Sequence, residues 1–183
     1  MNKSILGYAV ATMLMAGAVQ AQPPRRGGPP LSPPAETSVT IAGKAISVKY
    51  SAPSVRGRQM FGEGGVISKD RTYPVWRLGA NSATTLHTEA DLEIGGVTVP
   101  KGDYTLFALV NATPWQLIIN KQTGQWGLSY DRAQDVGRAP MNMSKPAAPV
   151  ETCRITLSST GTNSGLLQVE FENVIASVPF TVK

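Results

Sequence analysis

The chain has 183 residues, 17 basic and 12 acidic side chains and a formal net charge of +5. That is room for one domain, and an apolar share of 42% with only 16% charged residues excludes a disordered polyelectrolyte. A single Cys and a single His exclude a disulfide framework and leave no set of thiolates or imidazoles for a metal centre.

Residues 1–21 have the pattern of a secretory signal peptide. Lys3 is followed by an apolar run from Ile5 to Val19, and Val19-Gln20-Ala21 places small residues where a signal peptidase reads. The run is shorter than the roughly 20 apolar residues that span a bilayer. Cleavage after Ala21 is therefore expected, leaving no stable membrane span and a periplasmic or secreted product. Residues 22–34 contain six prolines, two glycines, Arg25 and Arg26. They have almost nothing to bury, so a disordered tether is expected. Residues 35–183 are left as a single domain.

Period-two patterning dominates that domain. Ile46, Val48 and Tyr50 alternate with Ser47 and Lys49. His87 falls in a strand pattern over 84–89. Leu92 and Ile94 precede Gly95-Gly96, and Val97 and Val99 follow; this predicts a hairpin with a primed turn. Pro100 and Gly102 suit a type I turn. Residues 103–110 are apolar on both faces, as in a central strand, with Tyr104 placed to bond back to the turn. Trp115, Leu117 and Ile119 predict another strand. Only 131–136 suits a helical turn, with Asp135 and Arg138 placed to pair.

Cys153, Ile155 and Leu157 share a face, so a buried, inert thiol is expected. Leu167, Val169 and Phe171 alternate with Gln168, Glu170 and Glu172. Val174 to Val182 reads as a strand with Pro179 at a position that suits a sheet edge. No longer window has a 3.6-residue period. The predicted fold is all-β, an antiparallel β-sandwich of about 8–10 strands with long loops containing Arg, Trp and Gly.

Two of those loops break the alternation. The first is Tyr50-Ser51-Ala52-Pro53-Ser54-Val55-Arg56-Gly57-Arg58-Gln59-Met60-Phe61-Gly62, and the second runs from Val75-Trp76-Arg77 through Gly79-Ala80-Asn81 to Thr84. Together with Pro100-x-Gly102-x-Tyr104-x-Leu106-Phe107 and Trp126-Gly127-x-x-Tyr130-Asp131, these motifs resemble, in order, those of the secreted bacterial family called domain of unknown function 2911. The resemblance covers roughly residues 32–183. Ala52 departs from the pattern, where arginine is common, and Phe171 stands where tryptophan is common. The resemblance implies a fold and no activity.

Arg58 and Arg77 are the leading candidates for binding, because a guanidinium offers five donors in a rigid fork to carboxylate, phosphate or backbone carbonyls. Either reading stands: organising a loop by bonding its carbonyls, or clamping an anion or sugar, with Trp76 as a stacking face and Asn81 supplying amide bonds. Trp126 and Tyr130 form a second cluster suited to a sugar ring or to covering one end of the sandwich. No catalytic residue, metal ligand or cofactor follows from the sequence. Ser51 and Ser82 lack a nucleophile-elbow setting, and the scattered charge excludes a nucleic-acid stripe. The expected function is an exported binding or interaction module for a glycan or small anionic ligand. The alternative is an envelope glycan hydrolase using carboxylates among Glu63, Asp131 and Asp135, which requires a pair roughly 5–9.5 Å apart.

Overall fold

The computed structural model describes residues 31–183. The signal peptide expected over 1–21, and the tether as far as residue 30, lie outside the described residues. The chain forms two packed antiparallel sheets, an all-β sandwich. The first contains β1 (Pro34–Ile41), β2 (Lys44–Ser51), β3 (Val75–Trp76), β4 (Thr84–Thr88), β7 (Gly102–Leu109), β8 (Gln116–Asn120) and β9 (Asp135–Pro140). Its order is β1-β2-β4-β7-β8-β9, with β3 also against β7. The second contains β5 (Leu92–Ile94), β6 (Val97–Val99), β10 (Asn142–Ser144), β11 (Val150–Ser159), β12 (Ser164–Glu172) and β13 (Val174–Val182). It runs β11-β12-β13-β5-β6, with β10 against β13.

Thirteen strands thus stand among the described residues where about 8–10 were expected. The excess comes from short pieces such as β3 and β10, which are too brief to show a period. The tether also ends earlier than expected, since Pro34 already pairs with Ser51. Pro179 corrects another expectation. β13 lies inside its sheet, and Pro179 falls between the stretch that meets β10 at 175–177 and the stretch that meets β5 at 180–182. An interval in one ladder accommodates a missing N–H as well as an edge does.

The core lies between the sheets. Ile46 and Val48 of β2, Leu86 of β4, Leu106 and Ala108 of β7, and Leu117 and Ile119 of β8 point inward. They meet Cys153, Ile155 and Leu157 of β11, Leu167, Val169 and Phe171 of β12, and Ala176, Val178 and Phe180 of β13. The Gly95-Gly96 hairpin forms as its turn chemistry requires, with φ values of 53° and 89° and Ile94 opposite Val97. Tyr104 donates its hydroxyl to the Pro100 carbonyl at 2.8 Å.

β7 is covered on both sides, which explains its unbroken apolar run. Its second face carries Phe107, packed with Val75, Ala83 and Ile118 in a separate cluster. Residues 121–134 cover that cluster, as Tyr130 meets Phe107 edge-on at 5.1 Å. Buried Asn120 fixes this connection. Its amide donates to the Asp131 carbonyl at 2.8 Å and to Asp135 Oδ1 at 3.0 Å, and its Oδ1 accepts from Gln122 N–H at 3.0 Å. The turn expected at 131–136 is a single 3-10 turn, Arg132–Gln134, capped by Asp131.

Candidate functional site

The two irregular loops meet at one end of the sandwich. Residues 52–69 cross from the first sheet to the second: Val55 N–H donates to the Glu151 carbonyl at 2.8 Å, and Met60 N–H to Glu172 Oε1 at 2.9 Å. Arg56 and Gly57 take positive φ to make the crossing. Arg58, at the end of this turn, is exposed and donates from Nε to the Val55 carbonyl at 2.9 Å and from Nη2 to the Ser54 carbonyl at 2.7 Å. It organises its own loop by bonding carbonyls that have left the sheet ladder.

Trp76 follows from β3 and is only 2% exposed. It stacks on Phe171 with centroids 6.1 Å apart and meets Phe61 edge-on at 5.3 Å. Phe171 is thus part of this aromatic cluster. Arg77 leaves β3 on the opposite pleat. Its Nη2 donates to Asp70 Oδ2 at 3.2 Å, in a pair whose side chains are 15% and 22% exposed. Its Nε is buried and finds no acceptor among the described residues.

Arg58, Trp76 and Arg77 line one cavity of about 160 Å³, together with Asp70, Met60 and Phe171. Two arginines and one aspartate are thus among its lining residues. The remaining candidates lie outside it. Asn81 is exposed at φ 59°, and its carbonyl accepts from Gly127 N–H at 3.0 Å. Trp126 bridges to Ser82 and is half-exposed. Between them Gly127 lies so close to Arg77 Cδ that a side chain there would collide with it, and with the Asn81 carbonyl at 2.7 Å. Asn81 and Trp126 therefore adjoin the arginine site through Gly127.

Tyr130 belongs elsewhere, over Phe107 on the outer face. Its hydroxyl donates to Asp135 Oδ2 at 2.7 Å and accepts from Arg138 Nη2 at 2.7 Å. Burial, reinforced by the bond to Asp135, pushes its phenol up to about 12. Arg138 adds two further donors to Asp135 Oδ2, at 2.9 and 3.1 Å, so the expected Asp135–Arg138 pair forms, within β9. Asp135 thus has both oxygens engaged, and Asp131 Oδ1 caps the 3-10 turn through Ala133 N–H at 2.9 Å. Cys153 is buried, which pushes its thiol up to about 12 and removes the thiolate that reactivity requires.

Sequence reasoning missed Asp70, whose pairing with Arg77 follows from a loop path without periodicity. It also missed the pairing of His87 Nδ1 with Asp103 Oδ1 at 2.8 Å. No cluster of three potential metal ligands exists among the described residues, and no described helix is long and apolar enough to cross a membrane.

No curated protein and no solved structure matches the chain. A family model does match, over residues 32–180, which includes both arginine loops, the aromatic cluster and both sheets. The chain belongs to the family described as protein of unknown function (DUF2911).

Proposed function

We propose that the chain is an exported binding module for a small anionic ligand, held in the end cavity by Arg77 with Arg58 at its side. The observation that carries this reading is Arg77. Arg77 lines a cavity that holds one further arginine, Arg58, and one carboxylate residue, Asp70, and its Nε finds no acceptor among the described residues. The guanidinium bonds Asp70 through Nη2 alone, and a carboxylate, phosphate or sulfate in the cavity would add a charge-assisted bond to it. A cavity of about 160 Å³ suits such an ion better than a polymer. Export rests on the signal-peptide pattern of residues 1–21. Binding is favoured over hydrolysis because Asp131 and Asp135 are taken up by local structure, which leaves the exposed Glu63 without a second carboxylate from that set.

Calorimetric titration with phosphate, sulfate and citrate tests the reading, using the wild type and Arg77→Met. Saturable binding of one of these ions, weakened about ten-fold or more by the substitution, is expected from the loss of a charge-assisted bond. No heat from any of them at millimolar concentration, or equal binding to the variant, overturns it. N-terminal sequencing of the exported protein should begin at Gln22.

A further inference from the structure

A second surface, on the far side of the first sheet, has a different chemistry. β2, β4 and β7 are neighbours there although they are far apart in sequence, and their register sets Ser47 opposite His87 and His87 opposite Asp103. All three project away from the core, since Ile46, Leu86 and Tyr104 beside them are buried. The next row outward carries Lys49 opposite Thr85. These five side chains, with Thr123, line an open depression of about 410 Å³.

The depression continues along β2. A hollow of about 240 Å³ shares Lys49 and Thr85 with it and reaches Ser51 and Ser82. Another of about 310 Å³ shares Lys49 and lies over Pro34 to Glu36 of β1. The three adjoin one another around Lys49, along the outer face of the sheet, and are together called the trough. The covering segment 121–134 bounds it where Thr123 lines the first depression and where Trp126 bridges Ser82.

The lining selects a ligand class. Hydroxyls of Ser47, Thr85, Ser51 and Ser82 alternate with a few charges that offset one another. Lys49 lies 3.9 Å from Glu36, and Asp103 adds a further carboxylate. This surface has no excess positive charge to draw an anion. The His87–Asp103 pair is exposed, its side chains 50% and 69% accessible. With Nδ1–H donated to the carboxylate, His87 Nε2 is left to bond a ligand hydroxyl, and Asp103 retains lone pairs for further donors. Two planar polar groups side by side match the adjacent hydroxyls of a sugar ring, and the neighbouring hollows that share Lys49 offer room for further rings. We infer that this trough binds a linear, uncharged oligosaccharide, with His87 and Asp103 as its principal polar contacts. The inference does not depend on the arginine cavity.

Amide chemical shifts of the full-length exported chain, titrated with cellohexaose, N-acetylchitohexaose and maltohexaose, provide the test. At least one of these probes should move the signals of Ser47, Lys49, Thr85, His87 and Asp103. Asp103→Ala and His87→Ala should each weaken that binding about ten-fold, the loss expected for one bond to a charged or aligned partner, whereas Arg77→Met should leave it unchanged. If Asp103→Ala fails to fold, Asp103→Asn, which keeps the size, and Thr85→Val supply the same comparison. Absence of shifts with all three sugars at millimolar concentration overturns the inference. So does binding that the trough variants do not weaken, or preference for an oligogalacturonate over the uncharged sugars.

Discussion

The Tyr50 hydroxyl, projecting from one sheet, accepts the backbone N–H of Ile155 in the other at 3.0 Å. Thr37 Oγ1 does the same for Leu157 N–H at 3.1 Å. β11 is an edge strand, and these two side chains satisfy donors that would otherwise form a template for another chain. They also tie β1 and β2 to β11 without a disulfide.

Tyr50→Phe keeps the ring and removes the acceptor, leaving the Ile155 donor part-buried and unpaired. A loss of about 1–3 kcal/mol is expected, read from the midpoint of urea unfolding. A midpoint shift corresponding to less than about 0.5 kcal/mol, the range of ordinary surface changes, would mean that water satisfies this edge.

Asn120 is fully buried and holds three hydrogen bonds of the covering segment. Asn120→Ala strands the Gln122 donor and an Asp135 oxygen. It should cost about 2–4 kcal/mol, more than a single unpaired group. Limited proteolysis should then cut within 121–134, where the wild type resists.

Gly127 touches Arg77 directly. Gly127→Ala should displace the guanidinium and destabilise the fold by about 1–3 kcal/mol, as overpacking does. It should also weaken anion binding while leaving any sugar response of the outer trough in place. Unchanged anion affinity in this variant would separate Arg77's packing from recognition.

Arg58→Lys keeps the charge and loses the fork that reaches the Ser54 and Val55 carbonyls. Because the side chain is exposed, water replaces part of what is lost. The melting temperature should fall by an amount equivalent to about 0.5–1.5 kcal/mol. No fall at all would refute its loop-organising role.

Stability should decline at alkaline pH, and the sign follows from linkage. Burial pushes the Cys153 thiol and the Tyr130 phenol up to about 12 in the fold, from ordinary values of 9.0 and 10.0. The folded protein therefore retains protons that the unfolded chain releases. Their stabilisation is complete below pH ~9 and is lost as pH rises towards 12, at up to about 1.4 kcal/mol per pH unit for buried Cys153. Cys153→Ala should flatten the curve between pH ~9 and ~10, and Tyr130→Phe should act above that. A wild-type profile with no slope from pH ~9 to ~11 would contradict the burial of both groups.

Where chemistry is local, sequence and structure agree. Gly95-Gly96 can only be a tight primed turn, and the alternation of Leu167, Val169 and Phe171 has one buried face to occupy. β1 escaped notice because, before the buried Ile41 at its end, its inward side offers only Ala35, Thr37 and Val39, partly buried at a sheet edge, so its alternation carries little hydrophobic contrast. The arginine loops were legible as candidates, but the identity of their partners was not. Asp70 reaches Arg77 across an irregular turn, and His87 reaches Asp103 because strand order skips β5 and β6. Tyr130 and Trp126, four residues apart, were grouped by sequence, yet one packs on Phe107 and the other bridges Ser82.

Ser32 lines the arginine cavity. Ala52 N–H holds the Pro33 carbonyl at 2.9 Å, and Arg56 Nη2 holds that of Leu31 at 2.9 Å. The described fold therefore begins at the cavity. It finishes at the other end of the sandwich, where Lys183 N–H bonds the Asp91 carbonyl at 3.0 Å. The two ends are unequal as points of attachment. Coupling to a sensor surface through the C-terminus leaves the arginine cavity facing the solution. Coupling close to Leu31 crowds that cavity and leaves the outer trough open along most of β2.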